Sequence, residues 1–222
     1  MILCKKLLPL SVLFAILLFL VACGNENEAI AGDDSIADNP REHTAEDYLP
    51  ISEGFEDYSV WMDVSIWKNG DGGVIRTSEI ESVFVFDNGE VTRYGSPDNS
   101  SELSNELTME DVHDLSDKEI IKLVSKYVEP ESLGEYTLDI RLDGSGNYTE
   151  EMEFILPDDT ILFMGELVKN TIYETTYAGL VSDRNSQNSL QNNLITKVDE
   201  SFVGFNLDGP DTNSKSVTIE GK

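Results

Sequence analysis

The chain has 222 residues and a formal charge of −28, from 43 acidic and 15 basic side chains. Nucleic acid is bound through Lys and Arg on phosphate, so this balance argues against a nucleic-acid partner and predicts repulsion from anionic head groups. The two cysteines, Cys4 and Cys23, both lie near the start, so no disulfide is available to the rest of the chain, and its fold has to stand on an apolar core.

Lys5 and Lys6 precede an uncharged, mostly apolar run, Leu7 to Ala22, which stops at Cys23 and the polar Gly24-Asn25-Glu26. The run is shorter than the 18 or more residues that usually cross a bilayer, and no basic stop-transfer cluster follows it. Residues 1–22 are therefore expected to be an export signal. Cys23 could close a membrane span, pair with another thiol or carry a lipid. Leu20-Val21-Ala22-Cys23 resembles the bacterial lipobox, which implies cleavage before Cys23 and a diacylglycerol on its sulfur. Acyl chains contribute about 0.8 kcal/mol per buried methylene, so two of them hold a protein on a membrane where one is marginal. Loss of Lys5 and Lys6 with the leader leaves 13 basic against 43 acidic residues, or −30.

Residues 23–47 read as the lipidated cysteine and an acidic tether. Gly24 to Asp47 holds eight acids, one arginine and no aromatic residue, a composition that cannot bury enough apolar surface to fold. As a flexible coil it would reach roughly 25–30 Å, which keeps the rest of the chain near the membrane.

Residues 48–222 read as a single β-rich domain. In "YSVWMDVSIWK", Val60, Met62, Val64 and Ile66 share one strand face, and Trp61, Asp63, Ser65 and Trp67 share the other. "ESVFVFDNGEVTRY" gives two strands about Asn88-Gly89, a strong hairpin signal because both residues tolerate positive φ. Ser116 and Glu119 form a capping box, and the stripe Ile120, Ile121, Val124, Tyr127, Val128 predicts an amphipathic helix over about 116–128. "LTMEDVHD" upstream adds a short helical turn.

"YTLDIRLDGSGNYTEEMEFILPDDTILFMGEL" predicts three strands with turns at Gly144–Gly146 and Pro157–Asp159, a triplet that looks like a diverged copy of the one from Tyr58. The segments "IYETTYAGL", "LITKVD", "FVGFNL" and "KSVTIE" offer further strands around the polar loop "SDRNSQNSLQNN". The class is α+β: a mostly antiparallel β-sheet, curved or an open barrel, with one amphipathic helix packed on a face.

The chemistry-bearing motifs are few. "RLDGSGNYTEEM" imitates a calcium loop, but Arg141 stands at the first ligand position and Met152 at the twelfth, so a hairpin turn is expected. "NGDGG" at 69–73 has Ile75 where a phosphate-binding glycine pattern needs a third glycine, and reads as another turn. Beyond the leader the histidines are His43, in the tether, and His113, beside the predicted helix; neither has a recognisable nucleophile or set of metal ligands. No catalytic residue, cofactor or metal is therefore assigned. Trp61, Asp63, Ser65 and Trp67 are the candidate partner-binding face, aromatic with a polar handle, if nothing covers it.

The succession "VFDNGEVTRY", "LSDKEII", "DGSGNYTEE", "YAG", "LITKVD" and "LDGPDT" behind a lipobox resembles a family of uncharacterised surface lipoproteins of low-GC Gram-positive bacteria. The resemblance covers most of residues 58–214 and implies the outer leaflet of a single membrane, facing the wall. The expected function is non-enzymatic binding or sequestration of a secreted or envelope partner, such as a cationic peptide or a toxin, by a protein held on the membrane through Cys23. Alternatives are a structural envelope lipoprotein and a wall-active glycan hydrolase.

Overall fold

A computed structural model describes residues 47–65, 73–95, 103, 106–157, 160–183 and 191–220, without the side chains of 162–168, 182, 183 and 191. The leader, Cys23, His43, the tether to residue 46, Trp67 and residues 69–72 of the glycine turn lie outside the described residues.

The chain begins with β1 (Leu49–Pro50) and α1 (Ile51–Asp57), followed by β2 (Val60–Ser65), β3 (Ile80–Asp87) and β4 (Glu90–Gly95). Two helices, α2 (Met109–Val112) and α3 (Asp117–Val124), lead to β5 (Glu131–Glu135). An antiparallel run follows: β6 (Thr137–Leu142), β7 (Thr149–Ile155), β8 (Thr160–Ile172), β9 (Thr175–Asp183) and β10 (Gln191–Val198). The chain closes with β11 (Phe205–Asn206) and β12 (Val217–Ile219). The described residues are thus mostly β, and their ladders are antiparallel except for β1 with β11 and β12 with β6. No described helix is long and apolar enough to cross a membrane.

Ten strands form one sheet in the order β12-β6-β7-β8-β9-β10-β2-β3-β4-β5. Its β3–β4 turn is the expected one, with Asn88 at φ 52° and Gly89 at φ 85°, the positive pair that a two-residue hairpin requires. The β6–β7 turn carries no metal-ligand set: Asp143 accepts from Ser145 Oγ and from the N–H groups of Asn147 and Tyr148, while Gly146 takes φ 73°. The Ser145 hydroxyl and these amides hold the Asp143 carboxyl below its ordinary range. Strand β10 starts earlier than the polar loop suggested. Asn192 and Asn193 pair with Ser65 and Val64 and are buried.

Both faces of the sheet centre are covered, which is why β2 is buried from Val60 to Val64. On one face Val60, Met62, Val64 and Ile195 meet Val112, Ile120 and Val124 of the α2–α3 segment. On the other, Trp61, Phe84, Phe154, Leu180 and Leu194 meet Ile51 and Phe55 of α1, and Phe205. Burying each such side chain contributes about 1.5–3 kcal/mol relative to leaving it in water.

The described residues hold three helices: α2 falls in the short turn expected from "LTMEDVHD", α3 in the expected amphipathic helix, and α1 is additional. The one over 116–128 is shorter, because the chain tightens after Val124: Tyr127 and Val128 both donate to the Val124 carbonyl in a closing turn. Its start is as predicted, since the Ser116 N–H and Oγ both donate to the Glu119 carboxylate, at 2.9 and 2.6 Å. The Ser116 hydroxyl and N–H hold the Glu119 carboxyl below its ordinary value of 4.5, so the cap's contribution is complete above that value and is lost as pH falls through the lower folded one. Glu119→Gln should accordingly be less stable than the parent at pH 7 and approach it in acid, read as the gap between urea midpoints at pH 7 and pH 3.

Lys197 of β10 fastens the helical segment to the sheet. Its ammonium donates to the carbonyls of Val112 (3.0 Å), His113 (3.1 Å) and Leu115. Burial pulls it below the usual lysine range, against the opposing pull of Asp117, Asp114 and Glu119. Lys197→Met keeps the apolar stem but strands these carbonyls, and should cost about 1–2 kcal/mol by chemical denaturation.

Candidate functional site: an acidic cleft

The expected binding face is not a surface. Trp61 is fully buried, with its Nε1–H donating to the Tyr58 carbonyl at 2.9 Å and its ring packed at 4.9 Å from Phe55 and 5.0 Å from Phe205. Asp63 is 1% exposed and Ser65 half-buried, with its hydroxyl directed to the Glu79 carbonyl. The physical reason is α1, whose apolar edge lies over this face. Trp67 and Cys23 are outside the described residues. His113 sits at the end of α2, edge-on to Tyr173 at 4.2 Å and 3.5 Å from Asp114, with no metal-ligand group around it among the described residues.

The residues that do come together around open space are different ones. Helix α1 owes its position to Asp208, a fully buried carboxylate 156 residues away. Pro50 at the N-cap offers no side-chain acceptor, and Asp208 supplies one from a distance. It accepts from the Ser52 N–H at 3.0 Å, the Ser52 Oγ at 2.5 Å and the Thr212 Oγ1 at 3.2 Å, while its own carbonyl takes the Thr149 hydroxyl. This arrangement fixes α1 against the 208–216 loop.

Between α1, the β3–β4 turn, the β5–β6 join and that loop lies an open cleft of about 1280 Å³. Its floor is aromatic. Phe55 stacks on Phe86 at 4.2 Å and 8°, and Tyr136 stands edge-on to both at 5.7 and 5.3 Å. Burial pushes the Tyr136 phenol above its ordinary value, helped by the charges of Glu56 and Asp208 and opposed by a hydrogen bond with Ser216, so it is neutral at physiological pH. The rim is acidic: Glu53, Glu56, Asp57, Asp87, Glu135 and Asp211 are exposed around it, against Lys215 as the one basic residue lining it among those described.

Carboxylates close together in a concave surface focus a negative potential, and the buried rings beneath them hold the walls that carry those carboxylates in place. The arrangement suits cation recognition. Sequence reasoning missed it because α1 has no N-cap signal of its own, and because Asp208 and Tyr136 lie in turn-like stretches whose partners are remote. The pair Ile51 and Phe55, at helical spacing directly after Pro50, was the available clue. Comparison of the chain with protein-family models, with curated proteins and with solved structures finds no match.

Proposed function

We propose that this chain is a lipid-anchored extracytoplasmic binding protein that holds a cationic polypeptide in the acidic cleft. The observation that carries the reading is the cleft itself: six exposed carboxylates against one lysine, over three packed aromatic rings. Excess negative charge on the whole chain would also steer a basic partner inward, by about 10- to 10³-fold in encounter rate at low salt. The lipid on Cys23 would keep that capture at the membrane surface. No catalytic role is assigned to any residue.

The scaffold in this proposal is an open barrel. Among the described residues, strands β2 to β10 meander antiparallel, the last pairs back onto the first, and the break in the ladder lies between β5 and β6, where β12 lines the β6 side and Tyr136 alone separates the two strands in sequence. A flat sheet would hold those two strands some eight spacings of about 4.8 Å apart, so the sheet curls.

The cleft is tested with a decalysine peptide at 20 and 150 mM salt, comparing the parent with Glu56→Lys/Asp87→Lys and with a remote control at exposed residues outside the cleft and β5, Glu106→Lys/Glu174→Lys. At least tenfold weaker binding in the cleft variant, with less than twofold change in the control, is expected at 150 mM salt. Equal weakening in both would reduce the acidity to a solubility feature. The anchor is tested separately: Cys23→Ala should move the exported protein from the membrane fraction to the medium, and retention on the membrane would remove the lipid from the account.

A further inference from the structure

We infer that the free edge of β5, where it runs into the cleft, accepts an extended basic segment of the partner as an added strand. The inference rests on the cleft reading and specifies how the partner is held.

Strand β5 is paired on one side only, with β4, and among the described residues none of its backbone groups makes a hydrogen bond outside that ladder. Its continuation, β6, bends away past Tyr136 to pair with β7 and β12. Among the described residues nothing pairs with this edge: Glu131, Ser132 and Glu135 along it are exposed, and Leu133 is the extra residue of a bulge in the β4 ladder. No described helix overlies it, and Pro130 precedes the strand instead of interrupting it. The same break in the sheet already takes one extended segment in this chain. On the β6 side, β12 adds in parallel, with Leu138 N–H donating to the Ser216 carbonyl at 2.7 Å and Glu220 N–H to the Ile140 carbonyl at 3.0 Å.

Charge selects the occupant. Glu131 on this edge is paired with the buried Arg93 guanidinium at 2.7 Å, which leaves Glu135 as its uncompensated charge; a second copy of the chain would bring Glu135 against another acidic edge, and like charges directly opposite are destabilising. A strand carrying Lys or Arg reverses that sign and places its neighbouring residues over the cleft, which Glu135 and Tyr136 line. Main-chain bonds then supply affinity and the cleft supplies selection.

The experiment follows amide exchange by NMR on the full chain with three probes: acetyl-KVKVKVK-amide, the same peptide N-methylated at alternate residues, and acetyl-EVEVEVE-amide. The basic peptide is expected to slow exchange at amides within 131–135 at least tenfold, and the other two to leave it unchanged. Glu135→Lys should weaken the basic peptide about fivefold. Unchanged exchange at 131–135 together with shifted Glu56 and Asp87 resonances would overturn strand addition and leave the cleft reading standing. No response at either place would overturn both. Protection that grows with protein concentration in the absence of peptide would assign the edge to a second copy and overturn the proposal.

Discussion

Gly179→Ala is expected to destroy the fold, leaving insoluble protein or a domain weakened by at least about 3 kcal/mol. Gly179 lies in β9 between Val168 of β8 and Ile195 of β10. A methyl group there would collide with the Leu194 carbonyl oxygen and lie 2.8 Å from Ile195 Cα. These obstacles are backbone atoms, so no rotamer change relieves the collision. The β9 and β10 strands would have to part, giving up ladder bonds on both sides of a buried residue pair. Gly144→Ala is the matched control, since a methyl there meets nothing within 4 Å, and it should stay within about 0.5 kcal/mol of the parent. Urea midpoints of the two variants decide the matter: a Gly179→Ala protein within about 1 kcal/mol of the parent would mean that β9 and β10 approach less closely than described.

Asp208→Ala should cost about 3 kcal/mol. The carboxylate is the acceptor for two groups of Ser52 and for Thr212, and hydrogen bonds to a charged group are worth about 1.5–3 kcal/mol each, with strong non-additivity inside one network. Removing it also leaves the Ser52 N–H without its acceptor in a buried place. Asp208→Asn retains one carbonyl oxygen for that N–H, while both hydroxyls can rotate to accept from the amide, so it should lose no more than half as much. The ordering parent, Asn, Ala in urea midpoint is the expected outcome. Equal loss for both variants would point to the negative charge at the α1 start, not the hydrogen-bond geometry, as the main contribution.

What the sequence disclosed was local. Asn88-Gly89 named its own turn because only particular residues adopt positive φ in succession, and Ser116 with Glu119 named a helix start because both partners lie within one turn. The alternation in 60–65 correctly divided β2 into two faces, but alternation says nothing about what lies opposite. It therefore presents Trp61 and Asp63 as a candidate surface, where α1 covers this face and both are buried. That helix went unseen because its cap is Asp208, and the sequence gives no sign that residues 52 and 208 meet. The polarity of Asn192 and Asn193 predicts a loop, yet pairing with β2 and β9 holds them in a strand. The cleft combines residues from four separate segments, and the parallel addition of β12 to β6 joins two more. Each is a consequence of tertiary assembly, for which no short window of sequence carries a signal.

The pairing of β10 with β2 also sets an order of events. Asp63 waits for Leu194, about 130 residues later in the chain, before its strand has both neighbours. The intervening hairpins can form as they emerge, but the first strand keeps an open side until almost the whole polypeptide is present. Closing so long a loop is slow compared with local pairing. For the exported chain proposed above, the consequence is that the sheet completes itself only once the last strands have reached the same side of the membrane as the first.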